Sequence, residues 1–176
     1  QVNLPCCCCL TLLTLSGQIA GQNFKLMLKR QGEQPHMVQG LSHMTFIVED
    51  LDKMETFLTI IFEARKVYDS GEETFSLSRE RFFLIGEGDD AVWVATMEGE
   101  SLPSRTYNHV AFKIDDAEFD DYLERIRTLG LEVRESRSRV EGEGRSIYFH
   151  DHDNHMFELH TGTLEERLAR YAKGRQ

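Results

Sequence analysis

A short pattern occurs twice in this chain, 66 residues apart, and it constrains the fold more than any other feature of the sequence. The first copy reads SHMTFIVED over residues 42–50, and the second reads NHVAFKIDD over residues 108–116. Each copy begins with a polar residue and a histidine, which an apolar residue, a small residue and a phenylalanine follow. Each copy ends in two acidic residues. Such internal similarity predicts a fold made of two equivalent modules.

A helix-like pattern follows each copy. Apolar residues recur there at the spacing of one helix face: Leu51, Met54, Leu58 and Ile61 in the first half, and Phe119, Tyr122, Leu123 and Ile126 in the second. Gly130 comes soon after the second run, and it predicts the end of that helix because glycine readily adopts the left-handed conformation of a helix C-terminus.

Short extended runs follow each predicted helix. They cover residues 64–68, 74–78, 82–85 and 92–97 in the first half, and residues 131–135, 146–149 and 155–160 in the second. The sequence therefore predicts an α+β fold of paired βαβββ modules, in which each helix covers one face of a curled sheet and the other faces enclose a cleft. Module one spans about residues 40–100, module two about residues 105–162, and a final helix about residues 163–173.

Composition and charge narrow the classes of function. A chain of 176 residues with 40% hydrophobic and 28% charged residues suits one soluble globular domain. The formal net charge is −10, and residues 1–36 carry three bases and one acid, so residues 37–176 carry −12. This charge argues against nucleic-acid binding. An anionic ligand would have to be met by a local basic pocket.

The first 36 residues differ in character from the rest of the chain. All four cysteines are consecutive, Cys6–Cys9, so the following domain has no disulfide framework. The apolar stretch beside them is shorter than the roughly 20 residues that span a bilayer. The basic residues follow this stretch, whereas in a signal peptide they precede it. We expect a cytoplasmic protein without membrane association, with residues 1–36 outside a domain of residues 37–176.

The two repeated histidines are the first candidate ligands. Strand alternation places Met44, Phe46 and Val48 towards the helix of module one, and His43 on the opposite face. The same alternation in module two places His109 away from its helix. Because the two positions are equivalent, we expect both imidazoles to point into a shared cleft and to bind a metal.

A third ligand is expected from the last predicted strand. Met156, Glu158 and His160 alternate onto one of its faces, and spacing alone does not choose between Glu158 and His160. Two histidines and a carboxylate would leave coordination positions open for water or substrate, as in a catalytic metal site. Nitrogen and oxygen ligands suit Mn, Fe, Zn or Ni without selecting one of them.

Several motifs resemble one known family. They are GLSH at residues 40–43, FSLSRE at residues 75–80, YNH at residues 107–109, EGEGRSIYF at residues 141–149 and DNHMFELH at residues 153–160. These motifs are similar to those of the fosfomycin resistance proteins of the vicinal oxygen chelate superfamily, in particular the hydrolase subgroup called FosX. The similarity covers residues 37–176 almost throughout. The stretch 86–90 looks longer than the usual turn of that family.

The resemblance implies an activity and a set of site residues. It implies a homodimeric enzyme, with sites built from modules of both chains, that opens the epoxide of fosfomycin with water to give a diol. His43, His109 and Glu158 would hold the metal, usually Mn²⁺, and Glu80 would be the general base. Contacts to the substrate phosphonate are expected from further residues: Thr45, Ser146, Tyr148 and Arg167, with Arg145 and Arg139 as weaker candidates.

Three other functions are compatible with this fold. The first is transfer of a thiol, glutathione or bacillithiol, to fosfomycin. A thiolate already carries the charge of the nucleophile, so Glu80 favours hydrolysis. The second is drug binding without catalysis, against which the set of two histidines and one glutamate argues. The third is glyoxalase or ring-cleaving dioxygenase activity, which matches the expected phosphonate-site residues less well.

Overall fold

Each copy of the repeated pattern begins one module of the fold. The computed structural model describes residue 38, residues 40–134 and residues 144–173. Module one contains β1 (His43–Val48), α1 (Leu51–Phe62), β2 (Arg65–Asp69), β3 (Glu80–Ile85) and β4 (Val92–Glu98). Module two contains β5 (His109–Lys113), α2 (Phe119–Thr128), β6 (Val133–Arg134), β7 (Ser146–His150) and β8 (Met156–His160). The helix α3 (Leu164–Lys173) follows β8.

The two modules have the same strand topology. The strand order is β1-β4-β3-β2 in one sheet and β5-β8-β7-β6 in the other. The first strand of each module is parallel to the last one, and the remaining neighbours are antiparallel. His43 and His109 are each the first residue of the first strand. The prediction of paired βαβββ modules is confirmed.

Both helices form where the apolar spacing predicted them. Asp50 caps α1 because its carboxylate accepts hydrogen bonds from the backbone N–H groups of Asp52 and Lys53, both at 3.0 Å. The chain leaves α2 at Gly130, which has φ +68° and donates its N–H to the Arg127 carbonyl at 2.8 Å. Gly130 is therefore the helix stop that its position predicted.

Aromatic side chains from both modules meet in one core. Phe57 of α1 contacts Phe157 of β8 and Phe149 of β7, with ring centroids 5.0 Å and 6.1 Å apart. All three rings are almost fully buried. Phe46 of β1 also contacts Phe157, at 5.2 Å. Pairs of this kind contribute about 0.5–1.5 kcal/mol each beyond the burial of their area. These contacts stabilise the apolar face of each sheet, which is the face opposite His43 in module one and opposite His109 in module two.

Two predicted strands differ from the structure. Residues 74–78 were expected to form a strand, but residues 75–78 form bends, and β3 begins at Glu80. The alternation of that segment places Phe75 and Leu77 in solvent, 68% and 87% exposed, so packing does not favour an extended conformation. The strand expected at residues 131–135 is shorter, since β6 is Val133–Arg134 and residue 135 lies outside the described residues.

Other expectations concern the remaining segments. The stretch 86–90 is part of the β3–β4 connection, and a single 3₁₀ turn occupies Gly88–Asp90. Residues 1–36 and Arg139 lie outside the described part of the chain. None of the described helices has both the length and the apolar character that crossing a bilayer requires.

Asp153, in the turn before β8, links the two modules. Its carboxylate accepts the backbone N–H of Glu49 at 2.9 Å and the hydroxyl of Ser101 at 2.5 Å. Its own carbonyl accepts the N–H of Leu102 at 3.1 Å. Only 5% of Asp153 is exposed. Because Glu49 follows β1 directly, this carboxylate connects the end of the first strand to the turn that leads into β8.

We predict that Asp153→Ala lowers the free energy of unfolding by about 1–3 kcal/mol, because the Glu49 N–H and the Ser101 hydroxyl lose a partly buried acceptor. Urea denaturation followed by circular dichroism measures the change. Asp89→Ala is the control, since Asp89 is exposed in the 3₁₀ turn and its replacement should alter stability by less than about 0.5 kcal/mol. Equal stability of the Asp153 and Asp89 variants would contradict the linking role.

Candidate metal centre

Glu158 is the centre of the polar face of module two. It lies in the middle of β8, between Ala111 of β5 and Tyr148 of β7 in the strand register. Its side chain is buried, and its Oε2 atom lies 2.8 Å from Nε2 of His109. The parallel pairing of β5 with β8 brings together these two residues, which the sequence places far apart.

The orientation of His109 shows what this pair requires. Its Nδ1 lies 2.8 Å from the carbonyl of Tyr107, and a carbonyl only accepts, so Nδ1 carries the hydrogen. In the neutral imidazole, Nε2 then presents a lone pair towards the carboxylate oxygen of Glu158. Two lone pairs at this distance repel each other unless a proton or a metal cation lies between them.

The residues fit a divalent cation. Donor atoms about 2.0–2.2 Å from one ion lie roughly 3 Å apart, which matches the separation of His109 Nε2 and Glu158 Oε2. The second carboxylate oxygen of Glu158, Oε1, is buried and has no hydrogen-bond partner among the described residues. A buried carboxylate oxygen is costly without a partner. A bound cation would remove this cost.

His43, the other repeated histidine, lies on the sheet of module one. Its side chain is exposed, its ring packs against the ring of Trp93 at 4.4 Å, and its Nδ1 lies 3.2 Å from the hydroxyl of Ser42. Within the described part of a single chain, no group of three or more His, Cys, Asp or Glu side chains is arranged to hold a metal ion. One chain therefore joins two of the three expected ligands and presents His43 separately.

The general base expected from the resemblance, Glu80, lies on the same sheet as His43. Glu80 is the first residue of β3, it pairs with Met97, and 8% of it is exposed. Its backbone N–H donates to the hydroxyl of Ser70 at 3.0 Å. The strand register places Glu80 on the face that also carries His43 and Thr45. Module one thus groups a carboxylate, an imidazole and a hydroxyl on one face.

Two hydroxyl groups lie beside Glu158 in module two. The Ser146 Oγ is 2.9 Å from His160 Nδ1. The Tyr148 ring is perpendicular to the His109 ring, with centroids 5.5 Å apart. Burial raises the pKa of the Tyr148 phenol, and hydrogen bonds to Tyr107 and Glu158 raise it further. This phenol therefore stays protonated at neutral pH, and it can donate a hydrogen bond.

The expected cationic residues lie in different surroundings. Arg167 is on α3, half-buried, and its backbone N–H donates to the Thr163 carbonyl at 3.2 Å. The Arg145 guanidinium binds the Asp116 carboxylate at 2.5 Å and lies 4.0 Å above the ring of Phe119. The charge of Arg145 is thus neutralised by a neighbour, which makes it less suited to an anionic ligand.

Two residues of this region were given no role in the sequence analysis. Tyr107 supplies the carbonyl that orients His109, and Trp93 supports the ring of His43. Trp93 is the single tryptophan of the chain, and it pairs with His43 in the register of β1 and β4. That pairing becomes visible only when the partner strand is known.

Comparisons with known proteins show the family to which this chain belongs. The family model described as Glyoxalase/Bleomycin resistance protein/Dioxygenase superfamily matches residues 40–159. The chain is 67% identical over 138 residues to the fosfomycin resistance protein FosX of Mesorhizobium japonicum, covering 78% of this chain and 96% of the relative. It is 61% identical over 137 residues to FosX of Listeria innocua, with 78% and 100% covered. The metallothiol transferase FosB of Shouchella clausii is 39% identical over 143 residues, with 78% and 90% covered.

Solved structures of similar proteins give the same result. FosX from Mesorhizobium loti has a TM-score of 0.67 and 63% identity, with 76% of this chain and 100% of that chain covered. A variant of FosX from Listeria monocytogenes, complexed with Mn(II) and 1S,2S-dihydroxypropylphosphonic acid, has a TM-score of 0.68 and 55% identity, with 77% and 99% covered. The chain therefore belongs to the Glyoxalase/Bleomycin resistance protein/Dioxygenase superfamily and, within it, to the FosX group of fosfomycin resistance proteins.

Proposed function

We propose that this protein is a Mn²⁺-dependent hydrolase that inactivates fosfomycin by adding water to its epoxide, which yields the vicinal diol. The observation that carries this proposal is the pair of His109 and the buried Glu158, whose facing atoms are 2.8 Å apart, with a second carboxylate oxygen that has no hydrogen-bond partner among the described residues. The FosX relatives, one of them solved with Mn(II) and a diol, support the same reaction.

Hydrolysis is favoured over thiol transfer for a chemical reason. Water is a poor nucleophile at neutral pH, so its attack on the epoxide benefits from a carboxylate that accepts its proton. Glu80 supplies such a carboxylate on the polar face of module one. The identity to the FosX relatives, 61–67%, also exceeds the 39% identity to the FosB transferase.

The metal would be held by residues of two chains. His109 and Glu158 of one protomer would bind it together with His43 of the partner subunit, because no third ligand joins the pair within the described part of one chain. We therefore propose a homodimer. When bound, the metal supplies Lewis acidity that withdraws charge from the breaking carbon–oxygen bond.

The remaining polar residues would bind and orient the substrate. The phosphonate of fosfomycin is an anion, and the formal net charge of the protein is −10, so attraction must come from local groups. Ser146 and Tyr148 would donate hydrogen bonds to it, Arg167 would supply positive charge, and Thr45 would contribute a hydroxyl from module one. This binding holds the epoxide beside Glu80, which takes the proton of the attacking water.

The central experiment is product analysis without any thiol. Protein incubated with Mn²⁺ and fosfomycin should form the dihydroxypropylphosphonate, which ³¹P NMR distinguishes from the epoxide, and EDTA should stop the reaction. Product that forms only after glutathione or bacillithiol is added would assign the protein to thiol transfer instead. Stoichiometric drug binding without any product would assign it to sequestration.

We predict that Glu80→Gln lowers kcat by about 10²–10⁴-fold, because the glutamine cannot accept the proton of water. The affinities for Mn²⁺ and fosfomycin, measured by calorimetry, should stay within about threefold of the wild type. Glu87→Gln is the matched control, since Glu87 is exposed in the β3–β4 connection, and it should retain full activity. Unchanged turnover by Glu80→Gln would exclude the base role.

A shared site predicts complementation between two inactive variants. His43→Ala and Glu158→Gln should each abolish activity, because every site of either homodimer lacks one ligand. Unfolding and refolding an equal mixture should restore about one quarter of the wild-type activity, since half of the dimers are mixed and one of their two sites is intact. Absence of recovered activity, with mixed dimers verified by mass spectrometry, would show that each site belongs to a single chain.

A further inference from the structure

The proposed reaction gives no role to His160, a half-buried histidine of module two. His160 is the last residue of β8, and it shares the polar face of that strand with Glu158. Its Nδ1 lies 2.9 Å from Ser146 Oγ and 3.6 Å from Glu158 Oε1. The ring thus contacts a residue proposed to bind the phosphonate and a residue proposed to bind the metal.

The chain makes a defined place for this ring. A Cβ atom at Gly162 would lie 2.8 Å from His160 Nε2 and 2.9 Å from the backbone of Gly144, so a side chain there would displace the imidazole or that backbone. Gly144 in turn packs so closely on Gly162 that it too must lack a side chain. The pairing of Ser146 with His160 between β7 and β8 fixes the other side of the ring. The His160 side chain is only 18% exposed, and its orientation is set by packing.

The surroundings select which ring nitrogen carries the hydrogen. If Nδ1 presented a lone pair, that lone pair would face the carboxylate of Glu158 as well as Ser146, which is unfavourable. If Nδ1 carries the hydrogen, it donates to the Ser146 oxygen and also points its positive end towards Glu158 Oε1. The carboxylate therefore favours a hydrogen on Nδ1 of His160.

The hydrogen on Nδ1 determines what the Ser146 hydroxyl does. A hydroxyl that accepts from His160 keeps its own hydrogen for another acceptor. Tyr148 lies two residues further along the same face of β7. An anionic oxygen that enters the site can accept the Ser146 hydrogen, and a charged acceptor forms a stronger hydrogen bond than a neutral one.

We propose that His160 is a positioning residue that makes the Ser146 hydroxyl a hydrogen-bond donor to the phosphonate of the substrate. It acts through Ser146 and touches neither the epoxide nor the attacking water. This inference rests on the proposed function, because it assigns Ser146 to phosphonate binding. It predicts that the loss of His160 weakens anion binding and leaves the chemical step and the metal affinity unchanged.

The first test compares binding with turnover. His160→Phe should raise the KM for fosfomycin about tenfold, which corresponds to about 1.4 kcal/mol and is typical of one hydrogen bond. Its kcat should stay within about twofold of the wild type, as expected when an interaction is made equally in the ground and transition states. Calorimetry on the Mn²⁺-loaded protein, with sulfate as a tetrahedral dianion, should show the same tenfold loss. The Mn²⁺ affinity should stay within about twofold.

The second test is a double-mutant cycle with Ser146→Ala. If His160 acts through Ser146, the double variant should bind sulfate no more weakly than Ser146→Ala alone. If the losses of sulfate affinity in the two single variants multiplied in the double variant, the proposal would be overturned, since His160 would then act by another route. Loss of kcat or of Mn²⁺ affinity with unchanged sulfate binding would also overturn it, because it would assign His160 to the metal.

Two further variants keep the test decisive. His160→Asn places an amide N–H near the position of Nδ1, and it should restore sulfate binding to within about threefold of the wild type. His152→Phe is the control for introducing the aromatic ring, since His152 is exposed in the turn before β8. If the phenyl ring at position 160 prevents folding, the smaller leucine replaces it in the same cycle.

Failure of this proposal can be distinguished from failure of the proposed function. If the wild type bound Mn²⁺ and sulfate but formed no diol, the hydrolase assignment would fail. The sulfate measurements would still report on His160 and Ser146 in that case. Conversely, the wild type could form the diol while the losses of sulfate affinity in the His160 and Ser146 variants multiply. That result would leave the hydrolase assignment intact and remove the role of His160.

Discussion

The parallel pairing of the first strand with the last strand in each module is the constraint on which the rest of the structure depends. In module two it brings His109 and Glu158 to the same face, although residues from a helix and two other strands separate them in the chain. The antiparallel neighbour β7 then adds Tyr148, which pairs with Glu158, and Ser146, which pairs with His160. Hydrogen bonds between backbones thus decide which side chains meet.

The two modules share this pairing but differ in chemistry. The position that holds Glu158 in module two is occupied by Ala95 in module one. The position of Ser146 corresponds to that of Glu80, because each pairs with the equivalent residue of the last strand. One sheet therefore carries the buried carboxylate expected to bind metal, and the other carries the carboxylate expected to act as base. Placing these groups on separate sheets avoids direct repulsion between two carboxylates on one face.

Two buried carboxylates, Asp153 and Glu158, differ in their hydrogen-bond partners. Asp153 is buried, and its Oδ1 atom accepts hydrogen bonds from the Glu49 N–H and the Ser101 hydroxyl, as expected for a buried structural carboxylate. Glu158 is equally buried, yet one of its oxygens has no hydrogen-bond partner among the described residues. An unsatisfied buried carboxylate is costly, and proteins retain such groups where a ligand completes them. This difference separates the linking aspartate from the site glutamate.

The sequence by itself determined the repeat, both helices, the helix stop at Gly130 and the faces of β1 and β5, because these depend on local spacing and on residue type. It failed at residues 74–78, where a strand-like alternation has no buried surface to face. Spacing along β8 also did not choose between Glu158 and His160, since both lie on one face. Only the tertiary structure decided that Glu158 meets His109, that His160 meets Ser146 and that His43 packs on Trp93. Such contacts are set by strand register between segments remote in the chain, and local residue preferences do not encode that register.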